Sequence, residues 1–198
     1  MQAIKILELL ENEKDPQVLY LKLKEAATIE IQAAELKAAG QLASYKGAKA
    51  YIKAATRRDV RDIFRGYYYG GPDKKQLFCD GYSLIELNHP VIVNDLKEVT
   101  GAAGIYEIMV SASKNQGPDV IIDYADITST LKIEKAADKN KKVIKQIGDQ
   151  FFDYELLAGV LRVLGVRRAK FIDSITSMNP AFITSEAGRA VLLPVRMS

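Results

Sequence analysis

The apolar and polar positions of the first 48 residues favour helix. This stretch is rich in Ala, Leu, Lys and Glu, and Pro16 is its one proline. Asp15 before Pro16 is typical of a helix start and Gly40 of a helix stop, so we predict a helix over residues 16–39. Alternating apolar residues inside it would also fit a strand: Leu19, Leu21, Leu23, Ile29 and Ile31. A shorter helix is predicted over residues 2–11.

Two segments beyond residue 48 share one layout, a short strand followed by a capped helix that ends at a glycine. In the first, residues 50–55 form the strand and Thr56 to Gly66 the helix; in the second, the ranges are 142–147 and 153–165. Further strands follow each helix. This layout predicts a domain built from two similar halves.

The caps and apolar faces of the two predicted helices support this interpretation. Thr56 is a good N-cap with Asp59 three residues later, and Asp153 caps the second helix. The expected buried face of the first helix is Val60, Ile63 and Phe64; that of the second is Leu156, Leu157, Val160, Leu161 and Leu164.

Period-two patterns predict strands around these helices. Residues 75–87 form two strands around the turn Asp80-Gly81. The other predicted strands cover residues 105–110, 120–124, 169–177 and 181–184, and residues 135–142 are a charged loop. The predicted fold class is α+β with antiparallel sheet, in a domain over residues 49–198 that follows a helical N-terminal extension over residues 1–48.

The last apolar run, residues 189–197, combines a strand-like pattern with two residues that fit a buried strand poorly. Pro194 cannot donate to a ladder, and arginines such as Arg196 are rarely buried without a partner. A strand that ends in a surface groove explains both residues. A last strand with a frayed end, with Val191 and Leu192 as ordinary core, is the alternative.

Composition excludes several classes of protein. The 198 residues are 48% hydrophobic, enough for one core, and the net charge of +3 permits a local basic face without demanding one. One cysteine and one histidine exclude a disulfide framework and His-rich or Cys-based metal sites. Charged residues near the N-terminus argue against a signal peptide, and no apolar run reaches membrane-spanning length. We expect a cytoplasmic protein with no cofactor and no membrane contact.

Enzymatic motifs are missing from the sequence. No phosphate-binding glycine loop, metal-ligand spacing or paired carboxylates stand out, so no enzyme activity is expected. Cys79 with His89 could form a nucleophile pair on paper, but a buried thiol is the simpler interpretation. Tyr67, Tyr68 and Tyr69 fit a base-stacking platform or, more simply, a strand with alternating burial.

Three motifs, in order, resemble those of bacterial DNA sliding clamps, the ring-shaped β subunit of the replicative polymerase. The sequence Leu-Phe-Cys-Asp-Gly-Tyr-Ser-Leu over residues 77–84 is similar to the family's Asp-Gly motif. Residues 152–165 resemble a helix of its last domain, and Leu-Leu-Pro-Val-Arg-Met over 192–197 resembles its C-terminal tail. Family chains carry three such domains, and this chain has room for one. The resemblance implies a clamp-like fold of two β-α-β halves, and a non-enzymatic protein that binds DNA, DNA polymerase or other replication proteins.

The resemblance also implies a peptide pocket between the tail and the Asp-Gly motif. Its residues here would be Gly81, Tyr82, Leu84, Leu193, Pro194, Val195, Arg196 and Met197. Apolar walls with methionine suit the capture of short linear peptides. A module that binds such peptides without encircling DNA is the alternative function.

Arginines on the predicted helices are the candidate contacts to double-stranded DNA. Arg57, Arg61 and Arg65 would stripe one face of the first helix, where they could contact phosphates. The full candidate set is Arg57, Arg58, Arg61, Arg65, Arg162, Arg167 and Arg168. A solvated face neutralised by Asp59 and Asp62 is the alternative. Assembly into a homo-oligomer is a further hypothesis.

Overall fold

The computed structural model describes residues 14–58, 64, 66–91, 97–99, 104–114, 117–174 and 179–196. The chain divides into two compact units, Met1–Leu42 and Ala43–Ser198. The predicted domain boundary between residues 48 and 49 falls inside a helix that begins at Leu42. Among the described residues, no helix is both long and apolar enough to cross a membrane.

The first unit contains helix α1, Pro16–Ala38. The Asp15 carboxylate caps it by accepting hydrogen bonds from the backbone N–H groups of Gln17 at 2.8 Å and Val18 at 3.4 Å. Gly40, with φ of 69°, lies just beyond its end. The predicted helix over residues 16–39 is therefore confirmed over the strand alternative. The helix predicted over residues 2–11 lies outside the described residues.

The second unit is α+β, as predicted. Its described helices are α2 (Leu42–Arg58), α3 (Ile105–Ala112), α4 (Tyr124–Ala137) and α5 (Tyr154–Leu164). Its described strands are β1 (Gly66–Gly70), β2 (Lys75–Cys79), β3 (Ser83–Leu87), β4 (Lys97–Glu98), β5 (Asp119–Asp123), β6 (Ile144–Ile147), β7 (Gln150–Asp153), β8 (Arg168–Ile172), β9 (Ala181–Ser185) and β10 (Gly188–Leu192).

The main sheet has the strand order β4-β1-β2-β3-β10-β9-β8-β5, and all of its pairs are antiparallel except β1 with β4. Each half of the domain is a helix followed by three antiparallel strands. Helix α2 precedes β1, β2 and β3, and helix α5 precedes β8, β9 and β10. The two last strands, β3 and β10, pair at the centre of the sheet, where Ala190 lies opposite Ile85. The prediction of two similar halves is thus confirmed, with the helix first in each. Strands β6 and β7 form a separate hairpin.

Helices cover both faces of the sheet. Helix α5, capped by Asp153 and ended by Gly165 as predicted, packs on β3 and β10. Its buried residues are Leu157, Ala158, Val160, Leu161, Val163 and Leu164. Helix α3 packs on β10 from the opposite face, where Met109 and Ala112 share a core cluster with Leu77, Leu84 and Val191. The predicted buried face of α5 needs one correction, because Leu156 is half-buried.

The strand predicted over residues 50–55 is wrong, because these residues lie inside helix α2. The predicted N-cap Thr56 lies in the last turn of α2, where its hydroxyl donates to the Ile52 carbonyl at 2.8 Å. The helix predicted from Thr56 to Gly66 is wrong at its start, since Thr56 lies inside α2, and Gly66 begins β1. Asp59, Val60 and Ile63 lie outside the described residues, and Phe64 is buried as predicted.

Two further predictions need correction around α3 and α4. Residues 105–110 form helix α3 and not a strand, because Met109 and Ala112 bury one face at helical spacing. The charged loop predicted over residues 135–142 begins later, since α4 continues to Ala137. Helix α4 itself was not predicted. The strands predicted around Asp80-Gly81 and over residues 120–124 are confirmed, and β6 confirms the one over 142–147.

Candidate functional site

The residues that follow β10 are attached to two other parts of the fold. We call residues 193–196 the tail. The Leu193 N–H donates to the Tyr82 carbonyl at 2.9 Å, and the Val195 N–H donates to the Phe151 carbonyl at 2.7 Å. The first bond joins the tail to the β2–β3 turn and the second joins it to β7. Two backbone bonds therefore fix the path of the tail after the strand ends.

The β2–β3 turn is organised by the buried carboxylate of Asp80. Its Oδ1 accepts hydrogen bonds from the N–H groups of Tyr82 at 3.0 Å and Ser83 at 2.7 Å, and from the Ser83 hydroxyl at 3.0 Å. Gly81 has φ of 85°, a left-handed conformation that glycine adopts without strain. The Asp-Gly pair thus shapes a tight turn that presents Tyr82 at the surface, 53% exposed.

Helix α2 holds this turn from the other side. The Arg58 Nη2 lies 3.0 Å from the Asp80 Oδ2, and the Arg58 guanidinium lies 6.0 Å from the Tyr82 ring centroid. The Tyr51 hydroxyl lies 2.7 Å from the Ser83 hydroxyl. Burial, reinforced by the nearby Asp80 charge, raises the pKa of Tyr51 well above its usual range, so Tyr51 stays neutral. These contacts fix the turn against the end of α2.

Helices α2 and α5 run antiparallel and approach closely through glycines. A Cβ on Gly165 would lie 2.4 Å from the Ser44 hydroxyl, and a Cβ on Gly47 would lie 2.2 Å from the Arg162 carbonyl oxygen. Further along, Gly159 faces the Tyr51 ring. Residue numbers rise along α2 from Ser44 to Tyr51, while those of the contacted residues on α5 fall from Gly165 to Gly159. The two helices are therefore antiparallel neighbours. The small residues on their facing sides leave open space next to the contact.

That space is a groove of about 650 Å³ between the two helices and the tail. Small residues of the helices line it, and larger apolar side chains contribute from α4, α5, the turn and the tail. Leu193 is 41% exposed, although it belongs to the apolar end of the chain. The residues that line it include Ala50, Tyr51, Ala54, Arg58, Tyr82, Leu131, Lys142, Asp153, Glu155, Leu156, Gly159, Arg162, Leu193, Pro194, Val195 and Arg196. This volume falls in the range of ligand-binding pockets.

The structure brings together most of the residues predicted for a peptide pocket. Tyr82, Leu193, Pro194, Val195 and Arg196 all line the groove. Gly81 shapes the turn beside it and does not line it. Leu84 is buried in the core cluster of α3 and also does not line it. Met197 lies outside the described residues.

The residues predicted to contact DNA are dispersed. Arg58 and Arg162 line the groove, and Arg162 donates to the Tyr124 hydroxyl at 3.1 and 3.2 Å. Arg167 and Arg168 both lie next to the Asp123 carboxylate, at 3.4 and 3.0 Å. Arg57 is exposed in the last turn of α2. Arg61 and Arg65 lie outside the described residues, so their contact with DNA stays a prediction.

Helix α2 also carries a basic stripe that was not predicted. Lys46, Lys49, Lys53 and Arg57 are all exposed and recur at spacings of three, four and four residues, which places them on one helix face. The opposite face is buried and comprises Ala48, Tyr51, Ile52 and Ala55. Within Leu42–Arg58, the described part of α2, the sequence contains no Asp or Glu. The spacing of these four residues is visible in the sequence. It was not recognised because residues 50–55, which include Lys53, were predicted to form a strand.

The remaining candidates occupy ordinary structural positions. Tyr67, Tyr68 and Tyr69 lie in β1 with alternating burial, and the rings of Tyr67 and Tyr69 meet edge to face at 5.6 Å. Cys79 is half-buried at the end of β2. Within the described ranges, no group of three or more His, Cys, Asp or Glu side chains could hold a metal ion.

No protein-family model and no curated protein matches the sequence. Among solved structures, the chain is similar to bacterial sliding clamps. The clamp of Pseudomonas aeruginosa, solved with a ligand, is 14% identical over 76% of this chain and 65% of that chain, with a TM-score of 0.48. The clamp of Bartonella birtlesii bound to griselimycin is 14% identical over 70% of this chain and 60% of that chain, with a TM-score of 0.48.

The β sliding clamp of C. crescentus is 11% identical, and the match covers 68% of this chain and 59% of that chain, with a TM-score of 0.48. The chain spans less than two thirds of the length of these three clamps. These clamps are the family that the sequence motifs resemble. At such identities the likeness concerns the fold alone.

Proposed function

We propose that this chain is a non-enzymatic, clamp-like protein whose groove binds short linear peptides of replication proteins. The observation that carries the proposal is the meeting of two motifs distant in sequence. The Asp-Gly turn and the tail are joined by the bond from Leu193 to Tyr82 and together line one side of the groove. The sequence resemblance assigns peptide binding to these same two segments.

The chemistry of the groove suits an extended peptide with apolar anchors. Leu131, Leu156 and Leu193 offer aliphatic surface, and Tyr82 offers an exposed ring with a polar tip. Ala50, Ala54 and Gly159 leave depth for an inserted side chain. A few polar groups at the rim could orient the backbone of the peptide. Binding of this kind needs no catalytic group.

A groove-filling substitution tests the proposal. A fluorescent peptide with spaced Leu and Phe anchors should bind the protein with micromolar affinity, about −8 kcal/mol or weaker. Ala54→Phe should abolish this binding because the ring occupies the groove. Ala136→Phe is the matched control, since Ala136 is also an exposed helical alanine but lies on α4 outside the groove. Equal binding by both variants would refute a role for the groove.

DNA binding is the second candidate function, favoured by the basic stripe of Lys46, Lys49, Lys53 and Arg57. Four exposed cations on one helix face could contact the phosphates of a nucleic acid without reading its sequence. A salt-dependent titration with double-stranded DNA separates a DNA-binding clamp-like protein from a module that binds only peptides. A mass measurement in solution tests the hypothesis of a homo-oligomer.

A further inference from the structure

The charged side chains that line the groove are mostly basic. Four cations line it, Arg58, Lys142, Arg162 and Arg196, against two carboxylates, Asp153 and Glu155. An apolar peptide would gain nothing from such an excess of positive charge. The excess of positive charge therefore indicates that a ligand of the groove has acidic groups as well as apolar anchors.

Both carboxylates of the groove are already engaged by the protein. Asp153 Oδ1 caps α5 by accepting from the N–H groups of Glu155 at 2.8 Å and Leu156 at 3.4 Å. The Glu155 carboxylate pairs with Lys135. Neither carboxylate is therefore available to a cationic ligand. Asp153 would have to give up its cap interaction with α5 to bind one.

Among the described residues, by contrast, most of these cations have no acidic partner. Arg58 is neutralised by Asp80. Arg162 donates to the Tyr124 hydroxyl, a neutral acceptor, so its charge is not compensated. Across the part of the chain that the structure describes, no carboxylate lies within ion-pair distance of Lys142 or Arg196. Three positive charges in the groove are thus available to a ligand.

The three charged residues, Lys142, Arg162 and Arg196, lie at two positions along the groove. Lys142 precedes Val143, whose carbonyl accepts from the Tyr154 N–H at 2.9 Å, and Arg196 follows Val195, which bonds to Phe151. Both therefore adjoin the start of α5. Arg162 lies eight residues further along the helix, or about 12 Å at 1.5 Å per residue. An extended peptide covers that distance in about four residues.

We propose that the groove selects acidic linear peptides, in which two carboxylates about four residues apart flank the apolar anchor. This inference rests on the proposed peptide-binding function and specifies its ligand. One carboxylate meets Lys142 and Arg196 near the start of α5, and the other meets Arg162. The apolar residues between them contact Leu156 and the tail.

The test compares two pentapeptides with acetylated and amidated ends. The acidic probe is Glu-Leu-Ser-Phe-Glu and the neutral probe is Gln-Leu-Ser-Phe-Gln, which differ only in charge. Calorimetric titration at low salt should show about 5- to 10-fold tighter binding of the acidic probe, as expected for two partly exposed ion pairs. The advantage should shrink at high salt, because exposed charges are screened.

Variants assign the preference to the named residues. The double variant Lys142→Gln with Arg196→Gln should lose about half of the preference on a logarithmic scale, because Arg162 still meets the second carboxylate. Lys139→Gln, an exposed lysine outside the groove, should behave as the wild type. Equal binding of both probes to the wild type would overturn the acidic preference and leave the peptide groove intact. If neither probe binds, the proposed function itself fails.

Discussion

The backbone N–H of Leu193 donates to the carbonyl of Tyr82 at 2.9 Å, which joins the end of the chain to a turn more than a hundred residues earlier. The bond extends the pairing of β10 with β3 by one step, since Leu192 lies opposite Ser83. It leaves the Leu193 and Tyr82 side chains exposed at 41% and 53%. The position of the groove thus follows from the same pairing of β10 with β3 that joins the two halves of the sheet.

Truncation of the tail should separate binding from folding. Removing residues 195–198 deletes part of the groove wall and one backbone bond to Phe151, worth about 1 kcal/mol. We expect peptide binding to be lost and the melting temperature to fall only slightly, because terminal residues seldom hold a core. Thermal melts run beside a peptide titration measure both. An unfolded truncation, or one that still binds, would show that the tail is structural.

Two adjacent leucines should respond in opposite ways. Leu192 is fully buried, so Leu192→Ala should cost about 2–5 kcal/mol of unfolding free energy through the cavity it leaves. Leu193 is exposed, so Leu193→Ala should change stability by about 0.5 kcal/mol or less and weaken peptide binding. Urea denaturation and calorimetric titration of both variants test this. A large stability loss in Leu193→Ala would contradict the assignment.

Most strands of the sheet and the second half of the domain were predicted from the sequence. Asp80-Gly81 marked the β2–β3 turn, and Asp153 and Gly165 marked the ends of α5, because cap and turn residues act through local backbone geometry. Helix α2 was missed for a local reason as well. Tyr51 and Ile52 favour strands by propensity, while Ala48, Tyr51, Ile52 and Ala55 have the spacing of a buried helix face.

The groove could be predicted only in part. The tail was predicted because Pro194 and Arg196 disagree with a buried strand, and the turn because it resembles a family motif. The packing of α2 against α5 was not predicted, since it depends on contacts such as Gly47 with Arg162 and Gly165 with Ser44. Such long-range contacts leave no periodic signal in the chain. Leu84 belongs to the family-like motif but does not line the groove. Successive side chains of β3 point to opposite faces of the sheet, and that of Leu84 lies in the core cluster.

Charge reversal on α2 should remove DNA binding if the basic stripe carries it. Lys46→Glu, Lys53→Glu and Arg57→Glu combined should weaken binding to double-stranded DNA and flatten its salt dependence. Four phosphate contacts predict a slope of about −3.6 in log affinity against log salt for the wild type. Fluorescence anisotropy over a salt series measures the slope. The matched control reverses three exposed lysines elsewhere, Lys114, Lys132 and Lys139; an equal loss in both variants would point to net charge alone.

Glu134 should make a pH-dependent contribution to stability. Hydrogen bonds from Lys141 at 2.6 Å and Lys145 at 2.5 Å lower the pKa of Glu134 from 4.5 to about 2. A lowered folded-state pKa stabilises the fold above pH 4.5, and this contribution is lost as the pH falls toward 2. The melting temperatures of wild type and Glu134→Gln should therefore differ at pH 7 and converge near pH 2. A difference that does not depend on pH would exclude the ion pairs as its cause.

The ion pair of Glu86 with Arg189 should show strong coupling, because it lies on the face of the sheet that α3 covers. Glu86 is fully buried, and Arg189 donates to both of its carboxylate oxygens at 2.9 and 3.0 Å. This pairing raises the pKa of Arg189, which also donates to the Tyr106 hydroxyl of α3 at 3.3 Å. Among the described residues, Arg189→Met leaves Lys75, at 3.5 Å, as the one cation beside the buried carboxylate, and should cost about 3 kcal/mol.

The double variant distinguishes this pair from simple packing. Replacing Glu86 and Arg189 together by Met removes both charges and keeps much of the volume, so most of the lost stability should return. A double-mutant cycle by urea denaturation gives the coupling free energy. If the losses of the two single variants simply add in the double variant, the charges are not coupled. In that case Arg189 stabilises the domain through its contact with the Tyr106 ring, at 6.0 Å from the centroid, and not through Glu86.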